Sequence, residues 1–264
     1  MASIQDQVTL RSGIASWLNR SDLTDSQIDD FVSIGEARVY EDLRVPPLEI
    51  SQGFSVTATN SSIIVPEGFL EMIELKKDET TKDDDITLRR IDSQAFNNNP
   101  ISHAYTRHIG NFLLTDKEAL QKASGNYTMY YYRAEDPIGT YATTTTAAGD
   151  FVVGSYYKIA VAGNTTWTNH GAANNNVGTI FKATSQVTGT GTAHIELIPY
   201  ILSDVFEIIL YAACAVGSTF LGDVEMEQKF DALTEGKIVA LNQKEIRASM
   251  KGGSFSSRFN SLSL

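Results

Sequence analysis

Apolar side chains recur every three or four residues in the first part of the chain, which is the spacing of an amphipathic helix. One such segment covers residues 3–18, and a second begins after Thr24 and continues to Pro46 and Pro47. Thr24 and Gln27 have the spacing of a capping box, in which the threonine hydroxyl accepts the Gln27 N–H and the glutamine side chain reaches back. The two prolines end the second helix because proline has no N–H to donate. Two N-terminal helices are therefore predicted.

Two further helices are predicted over residues 202–220 and 225–248, with a glycine between them. The most apolar stretch, residues 205–221, carries Glu207 near its start, and its uncharged part is shorter than the roughly 20 residues that cross a bilayer. It therefore predicts a helix buried in a bundle, and we expect no membrane association. Cys214 lies in this stretch, where a buried cysteine behaves as a small apolar residue.

Short runs rich in β-branched and aromatic residues lie between the N-terminal helices and residue 135. Residues 54–56 and 63–65 are separated by an Asn-Ser-Ser turn, which predicts a hairpin. Residues 69–75 and 86–91 flank the acidic sequence 78–85, which has no EF-hand spacing and is interpreted as a solvated hairpin tip. Further strands are predicted over residues 104–109, 111–114 and 127–133, and one helical turn over residues 93–98.

The charge balance disfavours one broad class of function. The 264 residues include 21 Lys and Arg and 32 Asp and Glu, which gives a net charge of −11 and a pI near 4.8. A protein that wraps nucleic acid by its phosphates needs a basic face. The single cysteine rules out an internal disulfide framework and a cysteine-rich zinc site. The first residues lack the pattern of a secretory signal, so we expect folding in a reducing cytoplasm.

Charge is also unevenly distributed, since residues 138–195 carry only Asp150, Lys158 and Lys182. This segment is rich in Thr, Gly, Ala and Asn, and aromatic residues are spaced along it. Turns that contain Gly and Asn separate its β-prone runs, as is typical of small antiparallel β-structure. A disordered linker is the alternative, but such linkers lack regularly spaced aromatic side chains. We therefore interpret the segment as an inserted all-β module.

Together these elements predict an α+β fold. It consists of a helical bundle with two N-terminal and two C-terminal helices, a small antiparallel β part and the inserted module. The predicted domains are a core domain of residues 1–137 plus 196–248, the module of residues 138–195, and a flexible tail of residues 249–264.

Residue types that often carry catalysis or bind metals are not grouped in the sequence. The glycine-rich sequence 189–192 lacks the lysine of a phosphate loop and opens no helix, so it predicts a turn between strands. Neither a nucleophile elbow nor a His-Glu-x-x-His motif is present. We therefore expect no enzyme activity, no catalytic residue, no metal site and no cofactor. The four histidines lack the spacing of a metal pair with a third ligand: His103, His108, His170 and His194.

Two regions outside the module carry a family resemblance. Residues 14–44 include a Thr-capped second helix of the form Ile-Asp-x-Phe followed by Gly-Glu-Ala-Arg-Val, and Tyr131–Arg133 lies before the module. Residues 201–248 follow Pro199 and contain a Tyr-Ala-Ala sequence at 211–213. These phrases resemble the head-to-tail adaptor, or head completion, proteins of tailed bacteriophages. Separately, the module resembles a small β-module of phage tail and fibre proteins, through residues 153–159, 163–168, 171–172, 176–184 and 189–193.

The adaptor resemblance implies a structural virion protein. Such adaptors form a ring, typically of twelve copies, that joins the portal to the tail and lines the DNA channel. The implied partners are further copies of the chain, the portal protein and a tail nozzle or tail tube protein, while DNA passes without specific binding. The implied location is the neck of the virion, after assembly in the host cytoplasm. Portal contacts are expected near the C-terminus, where a frayed terminus is the alternative: Arg247, Phe255, Arg258, Phe259 and Leu262.

The module is expected to hold a tail or fibre component, although it could instead only thicken the ring wall. Two other functions compete with the adaptor function. A receptor- or glycan-binding protein would use Trp167 and Tyr157 of the module, and a cytoplasmic enzyme has no candidate residues. The residues of the module that we expect to contact a tail or fibre component are Tyr156, Trp167, Asn169 and Phe181.

Overall fold

The fold is α+β, as the sequence predicts, and the described residues include five α-helices and several sheets whose strands pair mainly antiparallel. We describe a computed structural model over residues 4–57, 59–78, 85–94, 103–117, 121–122, 124–186 and 188–251. The chain divides into two compact units. Unit 1 consists of residues 1–42 and 136–240, and unit 2 of residues 43–135 and 241–264. The sequence analysis instead grouped residues 1–137 with 196–248.

The four long helices predicted from periodicity are confirmed. Helix α1 covers Gln7–Trp17 and α2 covers Asp25–Asp42. A short helix, α3 (Tyr200–Ser203), comes before α4 (Phe206–Leu221), and α5 covers Val224–Lys251. Among the described residues, no helix is long and apolar enough to cross a membrane.

Both N-terminal helices begin at capping boxes. The predicted box before α2 is present, because the Gln27 N–H donates to the Thr24 hydroxyl at 3.3 Å and the Thr24 N–H donates to Gln27 Oε1 at 2.9 Å. Asp6 caps α1 by accepting the Thr9 N–H at 2.8 Å. Side chains that cap a first turn satisfy backbone donors that have no partner within the helix. Local polar residues therefore fix where both helices start.

Helices α2 and α4 pack closely because small residues meet at their contact. A Cβ added at Gly35 of α2 would lie 3.0 Å from the backbone nitrogen of Ala213, and one added at Gly217 of α4 would lie 3.2 Å from the Phe31 ring. Phe31 and Cys214 are both buried in this contact region. Cys214 is thus a small core residue, as predicted.

Unit 2 contains two sheets that share one hydrophobic core. The first has the order β1 (Glu49–Val56), β9 (Gly125–Arg133), β3 (Phe69–Lys77) and β4 (Ile86–Thr87), all antiparallel. The second has the order β2 (Ser62–Ile64), β7 (Asn111–Lys117), β6 (Ala104–His108) and β5 (Arg89–Arg90), and β8 (Gln121–Lys122) also pairs with β7. The core that the two sheets share consists of Val56, Ile63, Leu75, Leu88, Tyr105, Phe112, Leu114, Tyr127, Met129 and Tyr131.

One predicted pairing in unit 2 is wrong. The segments 54–56 and 63–65 do not form a hairpin, because β1 pairs with β9 and β2 pairs with β7. A local turn does form between them, where the Asn60 N–H donates to the Thr57 carbonyl at 2.9 Å. An isolated two-stranded hairpin is only marginally stable in water, whereas each of these strands joins a sheet of several strands around one core. Most of the acidic sequence 78–85 and of the turn predicted over 93–98 lies outside the described residues.

Residues 138–195 contain their own sheet and their own core. The sheet has the order β10 (Thr146–Ala147), β13 (Thr192–Ile195), β11 (Tyr156–Val161) and β12 (Ile180–Lys182). The β-structure predicted for this segment is confirmed by β11 and β12, and the segment is not a structureless linker. The core consists of Phe151, Tyr157, Ile159, Trp167, Ala172, Phe181, Ala183 and Ala193.

Candidate assembly surfaces

The two units differ strongly in charge. By sequence, unit 1 contains 7 Lys and Arg and 18 Asp and Glu, whereas unit 2 contains 14 of each. Unit 1 therefore carries the whole net charge of −11, and unit 2 is neutral. A surface with such an excess of carboxylates repels polyanions and attracts basic partners. The negative charge of unit 1 therefore favours contacts with basic surfaces over contacts with acidic ones.

Ion pairs hold the helices of unit 1 together and use only some of its acids. The Arg11 guanidinium donates to both carboxylate oxygens of Asp29, at 2.7 Å and 2.6 Å, and so ties α1 to α2. This hydrogen bond raises the pKa of Arg11. Arg38 pairs with Asp231 at 2.6 Å and ties α2 to α5. Bidentate pairs of this kind fix geometry as well as charge.

A second set of apolar side chains lies on the outer surface of these helices. The Phe220 ring packs against Phe31 at a tilt of 49° with centroids 5.4 Å apart, yet 60% of Phe220 is exposed. The helices bury other apolar residues, such as Phe31 and Phe230, at the same time. The apolar faces of these helices thus pack on each other, and other large apolar side chains of the same helices stay exposed. This outer helical set consists of Ile34, Phe220, Val224, Leu233 and Val239.

The chain enters and leaves the module at a two-stranded neck. The Ala142 N–H donates to the Ile195 carbonyl, and the Leu197 N–H donates to the Thr140 carbonyl, both at 2.8 Å. Beside the neck, the buried Glu196 accepts the Gln7 N–H at 3.0 Å, at the start of α1. Burial raises the pKa of Glu196. The neck therefore connects the module to α1 through one buried carboxylate.

Two of the four predicted contact residues of the module are not on its surface. Trp167 is fully buried, and its indole N–H donates to the Ala162 carbonyl at 3.0 Å. Phe181 is also buried, with its centroid 5.5 Å from that of Trp167. Tyr157 is buried as well, and its hydroxyl accepts the Val152 N–H at 2.9 Å. These rings form the core of the module, because a charge-poor segment of this size has few other large side chains to bury. The contact role predicted for Trp167 and Phe181 is accordingly corrected to a packing role.

The other two predicted contact residues, Asn169 and Tyr156, are at least partly accessible to a partner. Asn169 is exposed, and Tyr156 is half-buried with the Lys182 ammonium 5.3 Å from its ring centroid. Sequence reasoning missed the exposed aliphatic residues of the module, because isolated valines in a Thr- and Gly-rich segment carry no distinctive pattern. These residues are Val152, Val153, Val161, Val177 and Ile180.

The comparison with protein families agrees with this architecture. The family model of the SU10 adaptor protein matches residues 8–253. The chain belongs to the SU10 adaptor protein family. The match includes the module as well as both pairs of helices, so the family assignment covers both units. A search of curated proteins finds no match. Membership supports a phage adaptor protein, a structural protein and a virion component.

The C-terminal residues predicted for portal contact are only partly described. Arg247 lies within α5 of this SU10 adaptor family member, and its side chain is not described. Phe255, Arg258, Phe259 and Leu262 lie outside the described residues. Their role stays a prediction.

Groups capable of chemistry are sparse in this adaptor family member. Across the described ranges, no cluster of three or more His, Cys, Asp or Glu could hold a metal ion. Burial raises the pKa of the Cys214 thiol to about 12, so the thiol stays protonated at neutral pH. A protonated thiol inside a helix contact is unsuited to act as a nucleophile.

Proposed function

We propose that this chain is the subunit of an oligomeric adaptor ring that joins the portal of a phage head to its tail. The observation that carries the proposal is the match to the SU10 adaptor family over residues 8–253. The outer helical set is compatible with it, because a protein contact surface needs exposed apolar side chains. The predicted stoichiometry is twelve copies per ring.

A closed ring needs two different surfaces on each subunit. In a head-to-tail contact, one face of a copy binds a different face of the next copy, and closure leaves neither face free. The acidic unit 1 and the neutral unit 2 are two such unlike surfaces. Contacts between unlike surfaces avoid the repulsion that two faces of unit 1 would have. The charge division is therefore compatible with a head-to-tail ring.

The channel of such a ring would pass DNA without holding it. Twelve copies at −11 each give an assembly that repels phosphates. The remaining partners in this proposal are the portal protein, contacted by the C-terminal residues, and a tail nozzle or tail tube protein. The exposed side of the module, including Tyr156 and Asn169, would hold a tail or fibre component. The proposed location is the neck of the virion.

The burial of two aromatic rings disfavours the glycan-binding alternative. It relied on Trp167 and Tyr157, and both rings are buried in the core of the module. Sugar recognition by stacking requires an exposed aromatic face, which neither residue offers.

Mass photometry of the purified chain, alone and mixed with the portal protein of the same phage, tests the proposal. We expect monomers alone and about twelve copies on each portal, since the portal provides the template for ring closure. A chain that does not bind the portal would contradict the adaptor function. An unrelated phage portal serves as the control for nonspecific association.

A further inference from the structure

Strand β1 leaves one long side without a backbone partner. It lies at the end of its sheet, and among the described residues β9 is the one strand it pairs with. The pairing runs over all eight residues without a register shift, whereas β3 on the other side of β9 has two shifts. In an antiparallel pair, alternate residues direct their N–H and C=O groups away from the partner. Half of the backbone groups of β1 therefore face outward.

This edge lacks the features that usually protect edge strands. Proline, lysine, bulges or a covering segment normally prevent another strand from pairing there. β1 contains none of the first three, and Glu49 is its single charged residue. At Gly53 a Cβ would meet nothing within 4 Å. Among the described residues, this edge is thus unpaired, free of bulges and almost uncharged, which is what an added strand requires.

The core behind this edge is incomplete. Ile50 and Phe54 lie on the inner face of β1, where they pack against the core of unit 2 but stay only partly buried. They are four residues apart, so they lie on the same face of the strand. A further strand beside β1 would cover both if it supplied apolar side chains at the same spacing.

The sequence after α5 has apolar residues at the spacing that such a strand needs. Phe255 and Phe259 are also four residues apart, and residues 254–260 contain no proline and no acidic side chain. Paired antiparallel to β1, Phe255 would lie beside Phe54 and Phe259 beside Ile50. Arg258 would then lie on the outer face opposite Ser51, one pleat from Glu49. Parallel pairing would move Arg258 away from Glu49, so charge favours the antiparallel register.

We propose that residues 254–260 of one copy add an antiparallel strand to the free edge of β1 in a neighbouring copy. The inference builds on the proposed adaptor ring, because a head-to-tail ring needs a donor and an acceptor surface on every subunit and closes when each acceptor is filled. It also divides the predicted portal residues: Phe255 and Phe259 face the sheet, while Arg258 faces the opposite side.

Disulfide trapping in the assembled state tests this pairing. The double variant Ser51→Cys/Arg258→Cys places two thiols opposite each other across the new pair, and the native Cys214 is buried and protonated. After assembly on the portal and mild oxidation, we expect a series of covalent oligomers on a non-reducing gel. The control Ser203→Cys/Arg258→Cys uses an exposed serine of α3 and should give at least about tenfold less of that product.

Each other outcome overturns the inference. A disulfide within one chain would mean that the segment pairs with its own β1. Rings on the portal that give no disulfide would overturn the strand pairing and leave the adaptor function standing. A chain that neither assembles nor cross-links between copies would overturn both.

A pair of substitutions outside the described residues gives an independent measurement without risk to the core. Phe255→Ala/Phe259→Ala should weaken ring assembly about tenfold or more, since two rings no longer cover Ile50 and Phe54. The matched control Ser256→Ala/Ser261→Ala should change assembly less than about twofold. Equal assembly of the two variants would contradict the proposal.

Discussion

The helix contact of unit 1 and the core of the module are both fully buried, but they are built in opposite ways. Helices α2 and α4 approach each other through Gly35 and Gly217, where almost any added atom would collide. The module instead fills its interior with large rings around Phe151 and Trp167, whose centroids lie 5.8 Å apart. The helix contact has no room for larger side chains, whereas the module core needs large side chains to fill it. Substitutions should therefore fail in opposite directions in the two regions.

The largest effect is expected from emptying the module core. Trp167→Ala removes its central ring and leaves a cavity next to Phe181, which should lower the free energy of unfolding of the module by about 3–5 kcal/mol. Chemical denaturation followed by near-ultraviolet circular dichroism measures this change. The exposed neighbour variant Thr168→Ala is the control. A loss below about 1 kcal/mol would show that the ring is not essential to that core.

Overfilling the helix contact should have the next largest effect. Gly35→Val places methyl groups against the backbone of Ala212 and Ala213 and should destabilise unit 1 by about 1–3 kcal/mol or more. Thermal unfolding followed at 222 nm reports the helices. An unchanged midpoint would mean that α2 can shift away from α4 at little cost.

A glycine outside the contact should give the opposite sign. A Cβ at Gly236 of α5 would meet nothing within 4 Å. Gly236→Ala should therefore raise the free energy of unfolding by about 0.5–1 kcal/mol, because alanine loses less backbone freedom in a helix. The same unfolding measurement, run beside Gly35→Val, separates space from helix propensity. A destabilised Gly236→Ala protein would indicate that this face is covered.

The smallest effect concerns the buried carboxylate at the neck. The pKa of Glu196 is raised mainly by burial, with Asp6 adding to the rise while the Gln7 N–H and Arg11 lower it. A carboxyl whose folded pKa is raised contributes stability that is present below the unfolded pKa, near 4.3, and lost as pH rises through the folded value. Glu196→Gln keeps an acceptor for Gln7 but does not ionise. The variant should thus gain stability relative to the native chain between pH 4 and pH 7.

Unfolding measured at several pH values checks this sign. Glu225→Gln, at an exposed position in the first turn of α5, serves as the control for removing a surface charge. A stability difference that does not change with pH would contradict the titration of Glu196.

Local patterns predicted the helices and the hairpin of β3 with β4, in which Lys76 pairs with Thr87, but not the partner of β1. Thr24 and Gln27 lie three residues apart, so their capping box could be predicted from sequence alone. In contrast, β1 pairs with β9, and the partner of Glu49 is Tyr132. No periodicity connects residues that far apart, so the sequence pattern favours the nearer segment 63–65 as the partner. Nonlocal pairing is decided by the core that it completes.

The contact role predicted for Trp167 and Phe181 was wrong for a related reason. Trp167 and Phe181 are large aromatic residues among small and polar neighbours in the sequence. This pattern is as typical of a core residue as of a binding residue. Burial decides between them, and it depends on the whole sheet. The exposed valines had no contrast to mark them. The outer helical set was missed because Phe220 has the same helical spacing as the buried residues of α4.

The neck of the module has an evolutionary consequence. Paired residues in an antiparallel ladder lie only about 5 Å apart, so the backbone between Ala142 and Ile195 could be shortened to a tight turn without moving either end. A position with this geometry accepts cassettes of any length, provided that their ends are adjacent. Chains that share the surrounding scaffold could therefore differ in this segment without any rearrangement of the scaffold.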